Sequence, residues 1–450
     1  MTGQDYLIEK KPIYALSLFA LPIIIGNLFQ QAYTMADSAI VGRFVSEGAL
    51  AAVGASYSLT NVFICVAMGG GIGSSVLVSH YFGAKEYGKM KQAAYTALLS
   101  FLVVSILLGL FGLAASRPIM TLLNTPADVL DMAAQYLSIY FLGLPFLFMY
   151  NVLSAMFNAL GKSRIPLGFL IFSSLFNIAL DVFLVRNLQM GVAGAAWATL
   201  IAQGISAVFS FLVFLRVLRK IGGETEGLFN LRELRTMSGI ALPSILQQST
   251  VSIGMMLVQS VVNSFGSQAL AGYSAAARVE NICIVPMSGI GNALSSYTAQ
   301  NLGAGKPERV KEGLRAGFGF VVIFAVINCV VLQIFHTQIA GLFLGADGTE
   351  VALSTATDCL SFMSWFYCLI GFKMSSDGVL RGSGDMRWFT VANLVNLSLR
   401  VILSVTLAPR FGIFMVWCTV PLGWAANWAI SYARYRTGHW RERMEPKKSL

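Results

Sequence analysis

Apolar residues in this chain fall in long, nearly unbroken runs rather than in the strict alternation of a half-buried strand. Charged residues, Gly and Pro divide the runs into residues 13–37, 48–79, 93–116, 130–157, 166–186, 192–216, 238–264, 269–298, 316–336, 351–380, 388–408 and 412–434. Stretches such as 97–115 and 318–335 are apolar on every face, which excludes the alternating strands of a membrane β-barrel. Each run reaches the roughly 20 residues that span hydrocarbon. The pattern therefore predicts an all-α integral membrane protein of twelve transmembrane helices, in which the runs longer than a bilayer imply tilt, kinks at Pro22, Pro145, Pro243 and Pro286, or helix that continues into the headgroups. The first run continues into Gln30, Gln31 and Asp37 without a small-residue cleavage pattern, so it reads as a retained helix rather than a signal peptide.

Composition sharpens this picture. Of 450 residues, 56% are apolar and 12% charged, against about 25% charged in soluble domains. Twelve spans use up the length, so no soluble catalytic domain is expected. The six cysteines stand singly, without C-x-x-C, and there are three histidines, which argues against a zinc site.

Lysine and arginine set an orientation. Most of the 31 basic residues fall in alternate connections, among them Lys85, Lys89 and Lys91; Arg216, Arg219 and Lys220; Lys306, Arg309, Lys311 and Arg315; and the tail from Arg434 to Lys448. The opposite connections hold Arg43, Arg117, Arg186 and Arg410. Both termini are expected to be cytoplasmic. This bias accounts for the net charge of +10, and no nucleic-acid partner is implied.

The second half repeats the first at an offset of about 220 residues. Ala20-Leu21-Pro22 recurs as Ala241-Leu242-Pro243, Gly71-Ile72-Gly73 as Gly289-Ile290-Gly291, Gly83-Ala84 as Gly303-Ala304, and Asn177 as Asn396. Six spans per half make the halves enter the membrane from the same side, so two six-helix lobes related by a pseudo-twofold axis along the membrane normal are expected. Their bounds are 1–215 and 238–434, with a cytoplasmic linker at 216–237 and a basic tail at 435–450. Lobes that meet around such an axis leave a cleft that can open to either face, which is transport architecture.

Few ionisable groups lie inside the spans, where each costs about 2.5–3.5 kcal/mol. Asp37 ends a polar stripe of span 1 with Thr34, Gln30 or Gln31, and Asn27. Asp181 in span 5 has Asn177 and Ser173 at i−4 and i−8, and span 6 carries Thr199 with Gln203 at i+4, again one helical face each. Counting back from Arg43 and Arg186 puts the two acids at similar depth. Two carboxylates in one dry pocket repel, and a shared proton or a hard cation such as sodium, with amide and hydroxyl oxygens beside it, relieves that repulsion. The alternative is two solvated acids near helix ends. The second half does not repeat the pattern, since Arg400 stands where Asp181 would recur. Arg278 and Glu280, two apart and so on different faces, need separate partners and suggest structural ion pairing across the lobe, and Lys373 with Asp377 at i+4 reads as a snorkelling pair near the cytoplasmic end of span 10. The glycines of 69–73 lack the lysine and strand of a phosphate loop and suit close helix packing.

Taken together, the duplicated Ala-Leu-Pro openings, Met35-Ala36-Asp37 with Val41-Gly42-Arg43, Phe82-Gly83-Ala84-Lys85 with Leu302-Gly303-Ala304-Gly305, and the Leu380-Arg381-Gly382 turn resemble the multidrug and toxin extrusion (MATE) family over essentially the whole chain. The resemblance implies two lobes forming a V and export of cationic or amphipathic drugs against inward flow of protons or sodium, from a prokaryotic inner membrane. In the DinF-like branch, which this chain resembles most, Asp37, Asn177, Asp181 and Thr199 match the cation site, with Gln30 and Gln203 as candidates for substrate contact or the polar network. No cofactor, no metal other than a coupling sodium ion, and no obligate protein partner are implied. The chain lacks the span 7 carboxylate of the NorM-like branch. A lipid-linked oligosaccharide flippase shares a related helix plan, but would call for several cleft arginines where only Arg278 and Arg400 are candidates. An intramembrane enzyme would need Asp-rich metal motifs, a histidine site, G-x-S-x-G or H-E-x-x-H, none of which is present.

Overall fold

The computed structural model describes residues 5–44, 47–122, 125, 127–345 and 349–441; the side chain of Asp37 falls outside that description. Among the described residues there is no strand. The helices are α1 (Tyr6–Glu9), α2 (Pro12–Phe44), α3 (Glu47–Gly83), α4 (Tyr87–Leu122), α5 (Ala127–Ala159), α6 (Arg164–Asp181), α7 (Gly191–Lys220), α8 (Leu231–Asn263), α9 (Ser267–Gly303), α10 (Pro307–Leu344), α11 (Glu350–Ser364), α12 (Tyr367–Gly382), α13 (Met386–Phe411) and α14 (Phe414–Arg436). Setting aside the one-turn α1 and counting α11 with α12 as one broken crossing gives the expected twelve. Nine of the described helices are long and apolar enough to cross a bilayer, as the uninterrupted runs require.

Pro22, Pro145, Pro243 and Pro286 all lie inside continuous helices. The one full break within an apolar run comes instead at Trp365–Phe366, with no proline in it. There the Trp365 N–H turns to Phe362 O at 3.4 Å, which frees the carbonyl of Ser361. Gln333 of α10 donates its side-chain amide to that carbonyl at 2.8 Å and to Ser364 Oγ at 2.7 Å. In hydrocarbon a released backbone acceptor needs such a partner.

The chain divides into two compact units, Ile25–Ile245 and Met1–Ile24 with Leu246–Leu450. In the first, α3 packs on α5, α4 on α5, α5 on α7 and α6 on α7. In the second, α9 packs on α12, α10 on α11 and α12, α12 on α14 and α13 on α14. This is the same pattern one repeat later. The repeated glycines have a direct physical role in it. A Cβ on Gly69 would lie 2.6 Å from Ile245, and one on Gly73 2.6 Å from Ala241, so α3 and α8 touch nearly backbone to backbone within the first unit. Gly289 of α9 meets Ile24 of α2 in the same way within the second. Gly73→Ala is expected to destabilise the protein by about 1–3 kcal/mol, the usual cost of overpacking, read as a lowered melting temperature of the purified protein in detergent; an unchanged midpoint would mean that the helices separate freely.

The duplicated loop motifs are a repeated helix stop. After α3 and α9 a residue with positive φ, Lys85 (61°) or Gly305 (68°), follows the last turn. The next N–H then reaches back five residues, Glu86 to Tyr81 O at 3.0 Å and Lys306 to Asn301 O at 2.8 Å, as a Schellman turn requires. The Leu380-Arg381-Gly382 turn ends the same way, with Asp385 N–H on Leu380 O at 2.8 Å. Its Arg381 is buried and binds Asn292 Oδ1 at 2.8 Å and Ser295 Oγ at 3.3 Å on α9.

Between α7 and α8 the connection is docked along α4. Lys91 donates to Gly223 O at 2.8 Å, Gln92 to Glu226 O at 2.9 Å, and the Asn230 side chain to Gln92 Oε1 at 3.1 Å. Glu233, in the first turn of α8, accepts from the Tyr81 hydroxyl at 2.9 Å.

Candidate cation-coupling site

Three of the sequence-selected side chains converge within the first unit. Asn177 and Asp181 are one turn apart on α6, 1% and 0% exposed. Thr199 faces them from α7, where its hydroxyl donates to Ala195 O at 3.1 Å. One orientation of the Asn177 amide satisfies both of its ends: the oxygen accepts from the Thr199 N–H at 3.0 Å, while the nitrogen donates to Asp181 Oδ2 at 2.9 Å and to the Tyr33 hydroxyl at 3.3 Å. The same amide lies 3.3 Å from Thr199 Oγ1. Asp181 is thus a buried carboxylate held by a neutral donor, beside hydroxyl oxygens from two further helices.

The chain then leaves α-helical geometry. Val182–Asn187 forms a π-helical turn, with Leu188 N–H on Phe183 O at 3.1 Å and Met190 N–H on Leu184 O at 3.0 Å. Widened turns of this kind recur beside functional sites, and this one starts at the residue after Asp181.

Gln203 lies one turn beyond Thr199 and is half-buried. The two line a small cavity with Tyr136, Tyr140 and Leu147 of α5. Its volume of about 10 Å³ is room for one water. Gln30 is exposed on α2, where its carbonyl accepts from the Thr34 hydroxyl at 2.9 Å. Tyr33 and Tyr136 were not selected from the sequence. For Tyr33 the signal was present, since Gln30, Tyr33 and Asp37 follow at i, i+3 and i+7 on one helical face. No sequence spacing links Tyr136 to Thr199, because they meet only when α5 packs on α7.

The matching positions of the second unit carry different chemistry. The charge of Arg400 on α13 acts on the Tyr273 hydroxyl and on Glu280 of α9. Lys373 and Asp377 depart from the snorkelling expectation. Their charged groups are 3.1 Å apart and each side chain is only 5% exposed. Asp377 also accepts from Asn393 Nδ2 at 3.2 Å and from Ser431 Oγ at 2.6 Å, and Asn393 in turn accepts from Gln247 of α8 at 3.3 Å. The sequence places Lys373 near a helix end; packing of α13 and α14 around α12 buries it.

The MatE family model matches residues 22–183 and 243–406, once in each repeat. The chain belongs to the MatE family. MATE proteins are transporters rather than enzymes, and they work without a cofactor. Among relatives of this MATE chain, the probable multidrug resistance protein YoeA of Bacillus subtilis (strain 168) is 28% identical, with 97% of each chain covered. The multidrug export protein MepA of Staphylococcus haemolyticus (strain JCSC1435) is 25% identical over 91% of this chain and 90% of its own. A solved structure described as the outward-facing conformation of a multidrug resistance MATE family transporter of the MOP superfamily superposes with a TM-score of 0.90 at 21% identity, covering 98% of this chain and 99% of that one. The protein is therefore a multi-span membrane transporter of a bacterial multidrug family, with small molecules as substrates.

Proposed function

We propose that this MATE protein is a secondary antiporter that exports cationic and amphipathic drugs in exchange for protons or sodium, with Asp37, Asn177, Asp181 and Thr199 as its coupling site. The observation that carries the reading is the complete burial of Asp181 inside a cluster of oxygen and amide groups from α2, α6 and α7. A carboxylate buried in hydrocarbon is costly, and uptake of a proton or a hard cation offsets that cost. Asp37 joins the site because Tyr33, four residues earlier on the same face of α2, already contacts Asn177.

The mechanism is alternating access of the two lobes, 1–215 and 238–434, with both termini in the cytoplasm of a prokaryotic inner membrane. Cation uptake at Asp37 and Asp181 from the outside changes how α2 packs on α6, and drug affinity falls in the outward-open state. The loaded protein turns inward, releases the cation and takes up drug. Coupling requires the two ligands to favour different states, because equal preference shifts no equilibrium. The flippase alternative is weakened by Arg400, which Tyr273 and Glu280 already engage.

Ethidium efflux from proteoliposomes under a pH gradient alone and a sodium gradient alone, for wild type and Asp37→Asn, tests the proposal. Efflux under at least one gradient that the substitution abolishes is the expected result. Normal efflux by folded Asp37→Asn protein overturns the site assignment, and absence of efflux by the wild type under both gradients overturns drug antiport.

A further inference from the structure

A second polar site lies in the other unit, far along the chain from the coupling residues. The N-terminal end of α10 and the C-terminal end of α14, with the short turn His439–Arg441 that follows, enclose a cavity of about 340 Å³. Four cationic side chains line it: Lys311 and Arg315 from α10, Arg436 and Arg441 from the end of the chain's last helices. Among the described residues no acidic side chain is in the lining.

Aromatic side chains build the wall. Tyr435 stacks on Trp440 at 5.6 Å, and Trp440, only 1% exposed, donates its indole N–H to Tyr435 O at 2.9 Å. Arg441 lies over the Trp440 ring at 5.5 Å. Arg315, Arg436 and Arg441 line the same cavity, and all three act electrostatically on the Tyr435 hydroxyl. Glu308 at the rim pairs with Lys311 at 2.9 Å and Arg441 at 3.1 Å. Among the described residues no ion pair engages Arg315 or Arg436. Like charges held this closely repel, and a bound anion removes the repulsion.

The place in the fold selects the anion. Phe318 and Tyr432 line the cavity from residues inside the apolar runs 316–336 and 412–434, whereas Lys311, Arg315, Arg436 and Arg441 lie just beyond those runs. The cavity therefore straddles the level where hydrocarbon gives way to headgroups, on the side that the basic residues assign to the cytoplasm. Guanidinium forks match phosphate oxygens in two-pronged fashion, and an aromatic wall suits the glycerol backbone and first methylenes of a lipid. We propose that this cavity binds the phosphate headgroup of an anionic phospholipid of the cytoplasmic leaflet, a phosphatidylglycerol-type lipid in chemical class. Such a lipid would tie α10 to α14 and brace the second unit at the membrane surface.

Native mass spectrometry of the delipidated full-length protein, titrated with phosphatidylglycerol or phosphatidylcholine, tests this. The comparison uses wild type, the double substitution Arg315→Gln/Arg436→Gln, and a control, Arg219→Gln/Arg235→Gln, that removes two exposed arginines of the other unit. Wild type and control are expected to bind one phosphatidylglycerol about tenfold more tightly than phosphatidylcholine, and the test variant to lose that preference. All four substituted arginines are exposed, and an unchanged melting temperature in lipid-free detergent shows the variants to be folded. A preference that survives in the test variant, or that is absent in wild type, overturns the proposal. Displacement of the bound phosphatidylglycerol by millimolar inorganic phosphate also overturns it, by making the cavity a site for free anions.

Discussion

Asp181→Asn is expected to leave the protein folded and inserted while lowering gradient-driven drug efflux by about 5–150-fold, the range of coupling energies of about 1–3 kcal/mol. The substitution keeps the volume of a fully buried side chain. Its amide oxygen can still accept from Asn177, which donates to Asp181 Oδ2 at 2.9 Å. What it removes is the charge, and with it the ability to take up and release a cation during the cycle. A variant fixed in the neutral form favours the state that the cation-loaded wild type favours, so drug binding shifts between states but no longer responds to the gradient. Efflux from proteoliposomes, measured beside equilibrium drug binding in detergent, separates these two effects. Weakened but measurable binding with lost efflux is the expected pattern. Efflux within about twofold of wild type would mean that the buried carboxylate is structural and that coupling lies elsewhere.

The polar residues that matter here were legible where they repeat on one helix. Asn177 and Asp181 at i and i+4, and Thr199 with Gln203, identify faces that do meet. The cluster's third side was harder to read, because Tyr33 stands among the glutamines and threonine of its own stripe and Tyr136 meets Thr199 only when α5 packs on α7. The fold was legible for a simpler reason: a hydrocarbon solvent forces long apolar runs into helices. Its internal detail was not. The break at Trp365–Phe366 carries no proline and depends on Gln333 of another helix, a contact that no local pattern encodes. The same limit explains Lys373. A lysine near a helix end can reach water only if its neighbours leave a path, and that depends on packing rather than on position in the run.

The buried pair at Lys373 and Asp377 gives the second large expected effect. Asp377→Ala leaves a lysine that is 5% exposed without the carboxylate 3.1 Å away. It also removes one acceptor each from Asn393 and Ser431, which keep Phe389 O and Asn427 Oδ1. Removing one member of a buried pair costs about 3–5 kcal/mol, because the remaining charge is left in a medium that cannot solvate it. The melting temperature of the purified protein in detergent should fall accordingly, and Lys373→Met should lower it for the complementary reason. If charge pairing is the cause, Lys373→Met/Asp377→Leu should be clearly more stable than either single variant, since an apolar replacement of both members needs no solvation. Additive losses in the double variant would instead assign the effect to packing. Through Asn393 and Gln247 the network links α12 and α13 to α8, so the single variants should also loosen α8, read as faster amide exchange across residues 246–263 than in the wild type.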